Sequence, residues 1–139
     1  VRVTCLDSEA VLEVAHDLAC RLAVESRVSL MHADLLSDNF GSEQFEVVLL
    51  GLITYILSPE QNRDVFRRAY RALKPGGKLI IDAIMTTEQP MEWASRATLL
   101  MSTWNGGAAH SYSDYRSWLD GVGFDKISQH NKQLLSAIK

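Results

Sequence analysis

Apolar and polar positions along the chain switch repeatedly between a period of two and a helical period. Val1 to Leu6 is short, rich in β-branched residues and followed by Asp7, which predicts a strand. Ser8 stands where a helix cap is expected, and Val11, Leu12, Val14, Ala15, Leu18, Ala19 and Leu22 recur at helical spacing over Glu9 to Leu22. Val28 to Ala33 predicts a second strand, closed by Asp34, and Leu35 to Gln44 a polar loop. Phe45 to Gly51 is apolar except for Glu46, as expected of a central parallel strand covered on both faces.

Ser58-Pro59-Glu60 opens the next helix, since Ser caps and Pro suits the first turn. Its buried stripe is Val65, Phe66, Ala69, Tyr70 and Leu73; Arg63, Arg67, Arg68, Arg71 and Lys74 lie mostly off it and read as a solvated exterior. Pro75-Gly76-Gly77 is expected to stop the helix and turn the chain into a fourth strand, Lys78 to Ile84. Thr87 to Met101 reads as a less regular helix and Trp104 to His110 as a Gly-containing loop. A short helix over Ser113 to Gly121 would bury Tyr115, Trp118 and Leu119, and Phe124 to Gln129 and Gln133 to Ile138 read as paired strands. This order predicts an α/β fold: a Rossmann-like, mainly parallel sheet with helices on both faces and an antiparallel C-terminal strand pair. Ligands of such sheets lie beyond the carboxyl ends of the strands, where Asp7, Asp34 and Gly51-Leu52 fall.

Composition narrows the function. At 139 residues the chain has the size of one domain, and 47% hydrophobic with 22% charged residues excludes disorder. A net charge of −3 gives no electrostatic case for nucleic-acid binding. Two cysteines, Cys5 and Cys20, exclude a disulfide scaffold and fit a reducing, cytoplasmic setting. The longest apolar run, Val47 to Leu57, is about half the ~20 residues of a membrane-spanning helix. The first residues are no signal peptide, and with no initiator Met the expectation is that further sequence precedes Val1.

Asp7 can accept both hydroxyls of a ribose or serve as a loop or capping aspartate. Asp34 can accept from an exocyclic amine, with Leu35 packing on the ring, or close a turn. No G-x-G-x-x-G occurs; Gly76-Gly77 follows a helix, and Gly106-Gly107 lies in a loop. His16, His32, His110 and His130 lack metal-ligand spacing, so no metal is expected. His110, beside Ser111 and Tyr112, is either a loop residue or part of a substrate pocket. Met85, Met91, Trp93, Met101 and Trp104 either line an apolar pocket or fill the core. No Ser-His-Asp order or G-x-S-x-G elbow supports acyl hydrolysis.

Val3-Thr4-Cys5-Leu6-Asp7, Ala33-Asp34-Leu35, Phe45 to Leu50 and Ala72-Leu73-Lys74-Pro75-Gly76-Gly77-Lys78-Leu79, in that order, resemble class I S-adenosylmethionine-dependent methyltransferases, most of all the small-molecule O-methyltransferases. The ending, Tyr115 to Phe124 with Gly121-Val122-Gly123-Phe124, resembles the family's last helix and turn. The resemblance implies that residues 1–139 are part of a catalytic domain whose opening strand and glycine-rich loop stand upstream. It implies S-adenosylmethionine as cofactor, with Asp7 and Ser8 at the ribose, Asp34 and Leu35 at the adenine, and Gly51 and Leu52 along the amino-acid end and methyl group. Met85, Trp93, Met101 and Trp104 would form the acceptor wall. Many relatives carry a histidine base where this chain has Tyr55, so Tyr55 and His110 are the acceptor-side catalytic candidates. A phenol of pKa about 10 is a poor base at neutral pH. The expected reaction is methyl transfer to a small, partly apolar hydroxylated molecule, with a homodimer as the expected assembly and neither nucleic acid nor membrane as partner. The alternative is a truncated or degenerate methyltransferase fold acting as an association module.

Overall fold

The computed structural model describes residues 1–86 and 92–139, with the side chains at 92–95, 97, 104 and 105 outside the described set. The described chain falls into two compact units, Val1–Asn39 and Phe40–Lys139.

In the first unit, strand β1 (Val3–Asp7) pairs in parallel with β2 (Val28–His32), Val3 opposite Val28 and Asp7 opposite His32. Helix α1 (Glu9–Arg21) connects them, followed by a 3-10 turn at Glu25–Arg27. Ser8 occupies the N-cap position of α1 with extended backbone, but its side chain makes no capping bond. Its backbone N–H donates instead to Asp7 Oδ1 at 2.7 Å. Helix α1 buries Leu12 and Ala19, whereas Val11, Val14, Leu18 and Leu22 of its expected stripe are exposed. A two-stranded sheet gives the helix only a narrow surface to cover, so one seam of the apolar pattern is used within this unit.

The second unit carries a four-stranded sheet in the order β3-β4-β6-β5, with β3 (Phe45–Gly51), β4 (Leu73–Asp82), β5 (Asp125–Gln129) and β6 (Leu134–Ile138). β3 and β4 are parallel; β6 runs antiparallel to both β4 and β5. The helices are α2 (Pro59–Ala72), α3 (Glu92–Asn105) and α4 (Tyr112–Val122). Helix α2 begins as its sequence dictates: Ser58 and Gln61 close a capping box and Pro59 fills the first position. Its face of Val65, Phe66, Ala69 and Ala72 is completely buried.

Four expectations change. Helix α2 already ends at Ala72, and Pro75-Gly76-Gly77 lies inside β4, where the register shifts between the pairs Phe45–Leu73 and Val47–Lys78. This segment is tied to the chain's last residue, with Gly76 N–H donating to Lys139 O (3.0 Å) and Lys139 N–H to Gly77 O (2.9 Å). A Cβ on Gly77 would stand 2.8 Å from Lys74 O and 3.2 Å from Glu46 O, so the close approach requires glycine. β3 is not covered on both faces, since Val47 and Leu49 are 51% and 64% exposed while Leu50 is buried. It is the end strand of its sheet, with β4 as its neighbour. Helix α3 runs through to Asn105, shortening the expected loop, and the stretch 87–91, where that helix was expected to begin, lies outside the described residues.

The fourth change is at α4, which starts at Tyr112 because Ser111 and Asp114 form a second capping box. It ends on Gly123 in the left-handed region, where Phe124 N–H returns to Leu119 O at 3.1 Å. The bond from Ser111 holds the Asp114 carboxyl below the ordinary carboxylate range. A lowered native pKa means that the box's contribution is complete above the unfolded value of about 3.9 and is lost as the pH falls through the native one. Asp114→Ala is therefore expected to cost about 1 kcal/mol at neutral pH, narrowing toward zero on acidification, as read by urea denaturation at several pH values. A difference that does not change with pH would refute the role of the charge.

Candidate functional site

The carboxyl ends of β1 and β2 bring Asp7 and Asp34 to one end of one sheet. Asp7 closes β1, and its carbonyl accepts from Ala33 N–H (3.3 Å), one residue before Asp34. Asp7 Oδ1 takes the Ser8 N–H, and Oδ2 has no hydrogen-bond partner among the described residues. Asp34 opens a tight turn: its Oδ1 accepts from Leu36 N–H (2.8 Å), its carbonyl from Asp38 N–H (2.9 Å), and its own N–H donates to Asp38 Oδ2 (2.7 Å). Two exposed carboxylates, each with one oxygen held by the backbone, suit neutral donors such as hydroxyls and amines, and disfavour a phosphate. Leu35 follows in this turn, half-buried.

In the second unit, Gly51 ends β3 and Leu52 follows in the left-handed region at φ +52°, its N–H donating to Asp82 O (2.8 Å). A non-glycine residue held there is strained, and such strain clusters at sites that contact ligands. Open space surrounds the Cβ position of Gly51. A 3-10 turn at Thr54–Ile56 then carries Tyr55, half-buried.

Beneath this turn lies a buried polar cluster that apolar periodicity alone passes over. Thr54 Oγ1 and Tyr115 Oη are 2.8 Å apart, and both residues are fully buried. Burial pushes the Tyr115 phenol up to about 12, so it keeps its proton at physiological pH. Asn62, also fully buried, directs Nδ2 at three carbonyls, Thr54 O (2.9 Å), Leu57 O (3.2 Å) and Ser58 O (3.2 Å). A polar residue on the buried stripe of α2, three before Val65 and four before Phe66, is the signal in the sequence that marks it.

His110 is 7% exposed, with Nε2 3.1 Å from Leu57 O and its ring edge-on to Trp118 at 4.9 Å. Its backbone carbonyl accepts from Thr86 N–H (3.1 Å), which joins the end of β4 to the loop before α4. Met85 is 4% exposed and belongs to the core, and Met101 is half-buried on α3. The side chains of Trp93 and Trp104, and residue Met91, lie outside the described residues. No group of three or more His, Cys, Asp or Glu among the described residues could hold a metal ion, and none of the described helices is long and apolar enough to cross a membrane.

Comparison with known proteins identifies the family and the fold. The chain is 26% identical over 144 residues to a demethylmenaquinone methyltransferase of Clavibacter sepedonicus, covering 89% of this chain and 56% of that protein. It superposes over its full length on the S-adenosylmethionine-dependent methyltransferase SibL, with TM-score 0.85 and 27% identity, covering 43% of that chain. It shares its fold with an O-methyltransferase-like protein of Nostoc punctiforme, with TM-score 0.89 and 22% identity over 100% of this chain and 44% of that one. The chain therefore spans about half the length of the relatives it matches. Residues 1–77 match the family profile described as "Methyltransferase domain", and the chain belongs to that family.

Proposed function

We propose that this chain is part of an S-adenosylmethionine-dependent enzyme that methylates a small, partly apolar hydroxylated molecule. The observation that carries the reading is the pair Asp7 and Asp34 at the carboxyl ends of adjacent parallel strands, each carboxylate with an oxygen to offer. Asp7 would accept from the ribose hydroxyls, with Ser8 N–H fixing its carboxylate, and Asp34 from the adenine amine, with Leu35 against the ring. In the second unit, Gly51 and the strained Leu52 are proposed, on the sequence resemblance, as residues that contact the cofactor. When bound, S-adenosylmethionine supplies a methyl group already activated by its sulfonium, so positioning of the acceptor is the protein's main contribution. Several structural neighbours are O-methyltransferases, among them mitomycin 7-O-methyltransferase, which supports a hydroxyl acceptor. Tyr55 is the acceptor-side residue that this reading places on the turn after β3. Two free thiols, Cys5 and Cys20, support a reducing, cytoplasmic setting.

Calorimetry with S-adenosylhomocysteine tests the reading. In the complete enzyme, Asp7→Ala is expected to weaken binding by about 1–3 kcal/mol, the usual loss for a charged hydrogen-bond partner. Unchanged affinity in that variant would remove Asp7 from the site, and the absence of binding by the folded complete enzyme would remove the cofactor reading.

A further inference from the structure

We propose that Asn62 and His110 are positioning residues that clamp the backbone of the turn Thr54–Ser58, an inference resting on the methyl-transfer reading above for its functional meaning. Carbonyl oxygens only accept, so the three around Asn62 fix which end of its amide faces them. The opposite end, Oδ1, is then left buried with no partner among the described residues. An apolar side chain would fill this place on α2 without stranding an oxygen, so the amide is held there for what its nitrogen does. Leu57 O is approached by His110 as well, and the same reasoning makes His110 Nε2 the donor. That proton is committed to Leu57, which suits His110 to holding the turn rather than to exchanging protons with an acceptor.

The grip is completed from two further sides. Tyr115 on α4 holds the Thr54 hydroxyl, and Gly107 presses on the turn so closely that a Cβ there would lie 2.5–2.7 Å from Ile56 C, Tyr55 O and Ile56 Cα. The turn that α2, α4 and the loop 106–110 enclose begins two residues after Leu52 and carries Tyr55. Fixing its backbone fixes the Cα–Cβ direction from which the Tyr55 side chain starts.

Hydrogen–deuterium exchange on this chain tests the clamp without requiring turnover. In Asn62→Ala and His110→Leu, exchange over residues 53–58 is expected to rise tenfold or more, with peptides from β4 and β6 unchanged. His110→Gln, which can still donate to Leu57 O, is expected to restore slow exchange. Unaltered exchange at 53–58, a rise spread equally through β4 and β6, or a glutamine variant as fast as the leucine one would each overturn the proposal. Should Asn62→Ala fail to fold, the two His110 variants decide alone. S-adenosylhomocysteine added to the complete enzyme separates the two readings: if it protects no segment, the cofactor reading fails while the clamp is judged on the variants. Where it binds, affinity is expected to fall at least fivefold in His110→Leu and to return in His110→Gln; equal affinity in all three overturns the positioning role.

Discussion

Phe66→Ala is expected to lower the stability of the chain by about 3–5 kcal/mol, the usual cost of emptying a buried aromatic site. Phe66 has no exposed surface, and its ring meets Tyr115 at a centroid distance of 6.3 Å across the seam between α2 and α4. Val65 and Ala69 beside it are equally buried, and Ala69 is too short to swing into the vacated volume. Against a typical domain stability of about 5–15 kcal/mol, such a loss removes a large share. Urea denaturation followed by circular dichroism gives the number. Arg67→Ala is the control on the same helix: this exposed arginine pairs with Asp64 one turn away, and its loss should stay within about 0.5 kcal/mol. A Phe66 effect no larger than the control's would mean that the α2–α4 seam is not the core of this unit.

Gly107→Ala is expected to be the most damaging glycine replacement in the chain, costing about 1–3 kcal/mol or more by overpacking. The atoms a new methyl would strike all belong to the backbone of Tyr55 and Ile56, and backbone cannot rotate aside as a side chain can. Its neighbour supplies the contrast. Gly106 has φ +70°, but a Cβ there meets only Ser58 Cβ at an ordinary 3.8 Å. Gly106→Ala should therefore cost only the conformational penalty of about 1 kcal/mol. Thermal and urea midpoints of the two variants distinguish collision from dihedral strain, and equal losses would contradict the close approach of the two loops.

Helix α2 was the most legible element, because cap, proline and apolar stripe agree with one another. Strand ends were legible too: Asp7, Asp34 and Gly51 stand at or just beyond carboxyl ends, where alternation of strands and helices puts them. What escaped was decided by tertiary pairing. Proline and two glycines signal a break, yet hydrogen bonds to Lys139 keep residues 75–77 within β4. An apolar run announces a strand but not which of its faces this chain covers, so the exposure of Val47 and Leu49 was illegible. The bonds of Asn62 are illegible for a related reason, since periodicity counts a polar residue on a buried stripe as noise. His110 was singled out from its glycine-rich loop, but its bond to a carbonyl 53 residues away has no local signature.

The exposure of β3 also bears on handling. Phe-Glu-Val-Val-Leu-Leu-Gly is a seven-residue window of high strand propensity with no proline and one charge. That charge is Glu46, and Lys74 engages it in an ion pair. The residue best placed to act as a gatekeeper against aggregation is thus held in a solvent-exposed pair, and the segment fits the sequence signature of an aggregation-prone strand. Changing Val47 or Leu49, already in solvent, to lysine is the remedy with the least to disturb in the core.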